Sequence, residues 1–151
     1  MPTDHSLNSP NTRVSFRIAA EDLDPDKVSD TLKIEPDRTQ LKGNFPQNDP
    51  SCFPRPEGVW VLRSKIRREE PLIAHLENLL AELEPKQIEI VDISKTASVD
   101  FFCSLFGQNG VYLPADILRR LSQLNAMLNV NVYPPDTNES DDMESSLDKT
   151  E

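Results

Sequence analysis

IEIVDISKTASVDFFCSLF, residues 88–106, is the stretch on which the fold turns. Its second half alternates cleanly: Val99, Phe101, Cys103 and Leu105 share one side, as in a half-buried strand. Its first half, IEIVDIS, is a short apolar run that also reads as a strand. Residues 95–98 between them are short enough for a hairpin turn. Upstream, Pro71 opens a long helix with Leu72, Ile73, Leu76, Leu79, Leu80 and Leu83 on a wide stripe, and Pro85 ends it. Before that helix, GVWVLRSKI (58–66) reads as a strand with Trp60, Leu62 and Ile66 on one face. Downstream, Pro114 opens a helix with Ile117, Leu118, Leu121 and Leu124 inward, and AMLNVNVYP (126–134) is a closing strand. Residues 58–134 therefore predict the order β-α-β-β-α-β, a ferredoxin-like core.

An extra β-α unit precedes this core. Val14, Phe16 and Ile18 alternate with Arg13, Ser15 and Arg17 in a first strand. Asp24 is placed to cap a short helix with Pro25 at its first position, and Pro36 excludes its continuation. The expectation is one α+β domain over residues 12–134, with a five-stranded, mostly antiparallel sheet and three helices on one face. Residues 1–11 read as a flexible N-terminal arm and 37–57 as a long proline-rich loop. Residues 135–151, with seven acids and one base, read as an acidic disordered tail.

Composition excludes several functions. No apolar run approaches the roughly 20 residues that cross a bilayer, and the first residues lack a basic and apolar leader pattern. With two cysteines and no export signal, a cytoplasmic setting is expected, with no membrane contact. The formal net charge of −10 argues against nucleic-acid binding, because phosphate contacts need a surplus of Lys and Arg. It suits a basic protein partner or plain solubility.

Catalytic signatures are missing. His5 lies in the arm, and His75 falls on the polar side of the long helix beside Asn78 and Glu82, where a solvated side chain is expected. Cys52 and Cys103 have no second ligand at metal spacing, and Cys103 reads as a core thiol. Neither a catalytic residue nor a metal or cofactor is expected. The alternation Asp22, Asp24, Asp26 reads as helix capping. The one positive constellation is Arg38, Lys42 and Gly43, with Arg55, Trp60 and Arg63 as further members. An arginine fork plus a lysine grips a carboxylate or phosphate, or braces the corner after the first helix.

Four segments carry a family resemblance: FRI…EDLDPDKVSDTLKIEPDRTQLKG, GVWVLRS, HLENLLAELEP and YLPADILRRLSQLNAMLNVNVY. They resemble the bacterial family called domain of unknown function 4279, over residues 14–133. The long FPQNDPSCFPRPEG insert departs from the pattern. The resemblance implies a small bacterial cytosolic α+β protein with Arg38, Lys42, Gly43 and Trp60 on pattern positions, and no activity to carry over. The expectation is a non-enzymatic module that binds another protein, an immunity-like protein against a basic partner being one form. The alternative is a sensor or minor enzyme that holds a small anionic ligand through Arg38 and Lys42. A monomer or weak homodimer is expected.

Overall fold

The computed structural model describes residues 11–42, 57–107 and 110–134. Gly43, Cys52, Arg55 and most of the proline-rich loop lie outside the described residues, as do His5 and the acidic tail. Strand β1 (Asn11–Ala20) runs through the middle of the sheet and buries Thr12, Val14, Phe16 and Ile18 at alternate positions. Helix α1 (Pro25–Leu32) follows, its N-cap Asp24 accepting the Asp26 N–H at 3.1 Å. It ends at Lys33, whose φ of 58° is the left-handed conformation that closes many helices.

A short strand β2 (Arg38–Gln40) then pairs antiparallel with β3 (Gly58–Arg63), so the predicted loop begins with an edge strand. Gly58 is required where it stands, since a Cβ there would meet the Leu23 carbonyl oxygen at 2.7 Å. Helix α2 (Leu72–Leu83) lays its leucine stripe on the sheet. A 3-10 turn (Glu84–Lys86) leads into helix α3 (Gln87–Ile93) and then β4 (Ser98–Phe106). Helix α4 (Ala115–Gln123) returns the chain to β5 (Met127–Tyr133), which is parallel to β4, as a helical crossover permits. The sheet order is β2-β3-β1-β4-β5, with every neighbouring pair but the last antiparallel.

The α+β class and the five-stranded, mostly antiparallel sheet agree with the sequence reading, while one segment does not. IEIVDIS is helix α3, not a strand, so β4 follows two helices and the ferredoxin-like order gives way to β-α-α-β-α-β from β3 onward. The reason is packing. β4 already has β1 on one side and β5 on the other, leaving no edge for a hairpin partner. Ile90 is fully buried, Ile93 packs on the core and Ile88 is 83% exposed, a helical spacing and not an alternating one. Residues 95–97 donate back to Asp92 and Ile93 carbonyls and so close the helix instead of turning a hairpin. The fifth strand comes from residues 38–40.

Smaller corrections follow from the same packing. β3 stops at Arg63: the Ser64 N–H still donates to the Val14 carbonyl of β1, but the Ser64 hydroxyl lies 2.7 Å from His75 Nδ1 and the Lys65 N–H donates to Asn78 Oδ1, so the chain turns toward α2. Leu118 is 47% exposed, not inward. The four α-helices among the described residues all contribute to one apolar cluster with the inner sheet face, from Val28 and Leu32 through Leu76 and Ile90 to Ile117 and Leu121. Arg120 of α4 grips Glu84 with two hydrogen bonds of 2.8 Å, joining α4 to the 3-10 turn. Among the described residues no helix is long and apolar enough to cross a membrane.

Candidate functional site

The expected cationic constellation does not assemble as one grip. Trp60 faces the helices and is fully buried, its indole N–H donating to Ser29 Oγ at 3.0 Å. Its ring closes the core and is not presented to a ligand. Lys42 lies beyond the end of β2, exposed, with Nζ 3.4 Å from Glu21 Oε2. Arg38 is opposite Val61 in the register, and Val61 is opposite Arg17, which places Arg38 and Arg17 on the outer face of the sheet. Arg63, opposite Ser15, joins that face and is exposed. Arg13 completes the set from β1. The two β1 arginines were visible in the alternation of the first strand. Their neighbours required the sheet order, which spacing alone does not contain.

This outer face has its own internal contacts. Arg17 holds Asp100 with a fork of two hydrogen bonds, 3.0 and 2.8 Å, and stacks at 4.2 Å over the Phe102 ring. Phe106 and Tyr133 stack at 4.7 Å where β4 and β5 end together. At the margin, Asp37 accepts from the Arg63 N–H at 2.7 Å and from Lys65 Nζ at 2.6 Å. Burial works against ionisation of Asp37, but these hydrogen bonds and the charges of Lys65 and Arg63 hold its carboxyl below the usual range. Asp37 is thus the carboxylate that braces this corner, and Lys65 is the cation it engages.

The sequence reading also misplaced His75. It is 2% exposed, with Nδ1 2.7 Å from Ser64 Oγ and a buried Nε2 that has no hydrogen-bond partner. Burial pushes its pKa below the usual histidine value, opposed by the backbone of Glu70 and Arg67 and by the Glu70 charge. A helical wheel puts His75 beside Asn78 and Glu82. The strap at residues 64–70 covers that side, and no local pattern announces the strap. Cys103 is a buried thiol whose pKa burial pushes up to about 12, which leaves it protonated and unreactive.

A concavity among the described residues lies elsewhere, where the end of β1, helix α1 and helix α3 meet. This groove, of about 490 Å³, has an apolar floor that includes Leu23, Val28 and Ile93. Four carboxylates line it, Glu21, Asp22, Asp24 and Asp92, against a single cation, Lys27. Lys42 approaches Glu21 and Lys95 approaches Asp92 from the rim, at 3.4 and 3.6 Å. The wall formed by Asp92 and Ile93 exists only because IEIVDIS is a helix. A strand there would have placed these residues in the sheet, so the sequence reading had no means of finding the groove.

A family model described as "Domain of unknown function (DUF4279)" matches residues 10–135. No curated protein and no solved structure matches the chain.

Proposed function

Because the chain belongs to the DUF4279 family, whose description assigns no activity, we propose from the geometry that it is a non-enzymatic protein-binding module. A basic segment of a partner protein seats in the groove between β1, α1 and α3. The observation that carries this reading is the pairing of an apolar floor with a rim of four carboxylates. A lysine or arginine side chain is apolar along its stem and charged at its tip, and such a groove satisfies both parts at once. The floor takes the methylenes while Glu21, Asp22 or Asp92 meets the head group. Exposed rim charges contribute little affinity each, so the apolar contact sets the dissociation rate and the charge sets the encounter rate. A chain of net charge −10 attracts such a segment from a distance, and attraction of that kind weakens with salt. An immunity-like protein that covers a basic toxin is one concrete form of this activity.

The test is titration of the isotope-labelled full chain with a short peptide of alternating arginine and leucine, followed by amide NMR at low and high salt. Shifts concentrated at residues 20–31 and 92–97, weakened by salt and by Asp92→Lys, support the groove. Shifts spread over the outer sheet face, or none at low salt, remove it.

A further inference from the structure

The two edges of the sheet differ in kind. β2 is three residues long and carries Arg38, a short charged edge of the sort that discourages pairing. β5 is seven residues long, MLNVNVY, and has no Asp, Glu, Lys, Arg or Pro. Among the described residues no strand pairs with its far side. The Gly107 N–H donates to the Tyr133 carbonyl on the β4 side, and backbone groups alternate in direction along a strand. Asn131, Asn129 and Met127 therefore also turn theirs toward β4, while Leu128, Val130 and Val132 direct N–H and C=O outward. The side chains of those three lie on the helix face, in register with Phe101, Cys103 and Leu105. Val132 and Met127 are exposed, as is Leu118 of α4. Leu118, Met127 and Leu128 line one concavity of about 380 Å³, which shares no residue with the acidic groove.

We propose that β5 pairs antiparallel with β5 of a second copy of this chain, about a two-fold axis at Val130, so that two sheets become one. The strand itself selects a copy as its occupant, because it reads nearly alike in both directions from Val130. Asn129 and Asn131 flank the centre, and Leu128 and Val132 follow. An axis there sets Val130 opposite the partner's Val130, and Leu128 opposite the partner's Val132. These are the residues whose backbone groups point outward, so each such pair exchanges two hydrogen bonds, and their aliphatic side chains meet across the seam. On the other face Asn129 meets the partner's Asn131, two amides that can each donate and accept. An axis at Asn129 or Asn131 leaves one of the three outward residues without a counterpart in the strand. Charge favours the same seam. Copies of a chain of net charge −10 repel each other, and β5 offers a contact without charge. The adjoining helix α4 exposes Asp116 beside Arg119, 3.7 Å apart, so a copy meets both signs there in equal number. This inference is independent of the groove, which lies on another surface.

The test is sedimentation equilibrium of the full chain from about 1 μM to 1 mM, the span in which small interfaces associate. The expected result is an average mass that climbs with concentration toward that of a dimer. Val132→Lys, which puts a charge on an exposed side chain of the seam, holds the mass at that of the monomer throughout. Circular dichroism of that variant reports that it is folded. Register is read by disulfide trapping in the Cys52→Ser background, with one chain carrying Asn129→Cys and another Asn131→Cys. Mixed and oxidised, the two crosslink to each other much faster than either crosslinks alone. Directly opposite residues of this kind have Cα atoms about 4.5 Å apart, within the roughly 4.4–6.8 Å that a disulfide spans. Cys103 takes no part, because it is buried and protonated. A mass that stays monomeric at every concentration overturns the proposal. So does a dimer that Val132→Lys leaves intact, or crosslinking as fast in the unmixed chains, since the copies then meet elsewhere or in another register.

Discussion

The two faces of one sheet are closed by different physics. On the inner face Phe16 meets Trp60 edge-on at 6.3 Å and Phe101 at 5.2 Å, and all three are fully buried. The single polar atom of that group, the Trp60 indole nitrogen, is matched by Ser29. On the outer face, one residue along each strand, Arg17 lies over Phe102 and grips Asp100. The same alternation builds both. What differs is the cover: four helices on one side, and among the described residues only the strands' own side chains on the other. Shape complementarity therefore sets stability on the inner face, while charge dominates the outer one. The groove adds a third environment at the sheet's end, where helices and strand diverge around an acidic rim.

The largest expected effect tests the inner face. Phe16→Ala removes a ring packed against two others and leaves a void that the surrounding rings cannot fill, at a cost of about 3–5 kcal/mol. Chemical denaturation followed by circular dichroism measures it. Arg63→Gln on the same sheet, exposed and facing outward, is expected to change stability by less than about 0.5 kcal/mol. Equal effects from the two substitutions would abolish the distinction between the faces.

An intermediate effect belongs to the outer face. Asp100→Ala leaves Arg17, with 22% of its side chain exposed, stacked on Phe102 without its carboxylate. Removing one partner of a fully buried pair costs about 3–5 kcal/mol, and partial exposure of Arg17 lowers that to about 2 kcal/mol. The double change Asp100→Ala/Arg17→Leu recovers part of the loss, because no unpaired charge remains. If the double variant loses the sum of the two single effects, the pair is not coupled and charge does not order this face.

How much of this was legible follows from which interactions are local. Caps and turns are local, so Asp24, Pro25 and the three expected helices stand where their sequence signals place them. Alternation is local too, and β1, β3 and β4 bury the residues assigned inward, except for Ile66, which lies beyond the end of β3; in the edge strand β5, Leu128 and Val130 are only partly buried and Val132 is 52% exposed. IEIVDIS was misread because a short apolar run satisfies either period, and only the filled edges of β4 exclude it from the sheet. β2 was missed because three residues carry no pattern. Among the expected site residues, Trp60 went to the core, Arg38 and Arg63 share the outer face, and Lys42 reaches Glu21 near the groove. Neither surface was visible as such, since each is assembled from elements far apart in sequence.

The smallest expected effect concerns the polar exception in the helix layer. His75 is buried neutral against Ser64, and its folded-state pKa lies below that of the unfolded chain. Below about pH 6.5 the unfolded state therefore takes up a proton that the folded state refuses. Stability contributed by neutral His75 is complete above that pH and is lost as pH falls toward the folded pKa. Asp37 and Glu84 carry carboxyls held below their usual range, so their losses begin only near or below about pH 4.5. The interval between about pH 6.5 and 5 then isolates His75. Denaturant midpoints across it are expected to fall for the natural chain and to stay flat for His75→Gln. Glutamine retains an amide that can meet the Ser64 hydroxyl but does not titrate. If both chains fall alike, the titration lies elsewhere, and the histidine is a packed side chain whose protonation the strap at residues 64–70 accommodates.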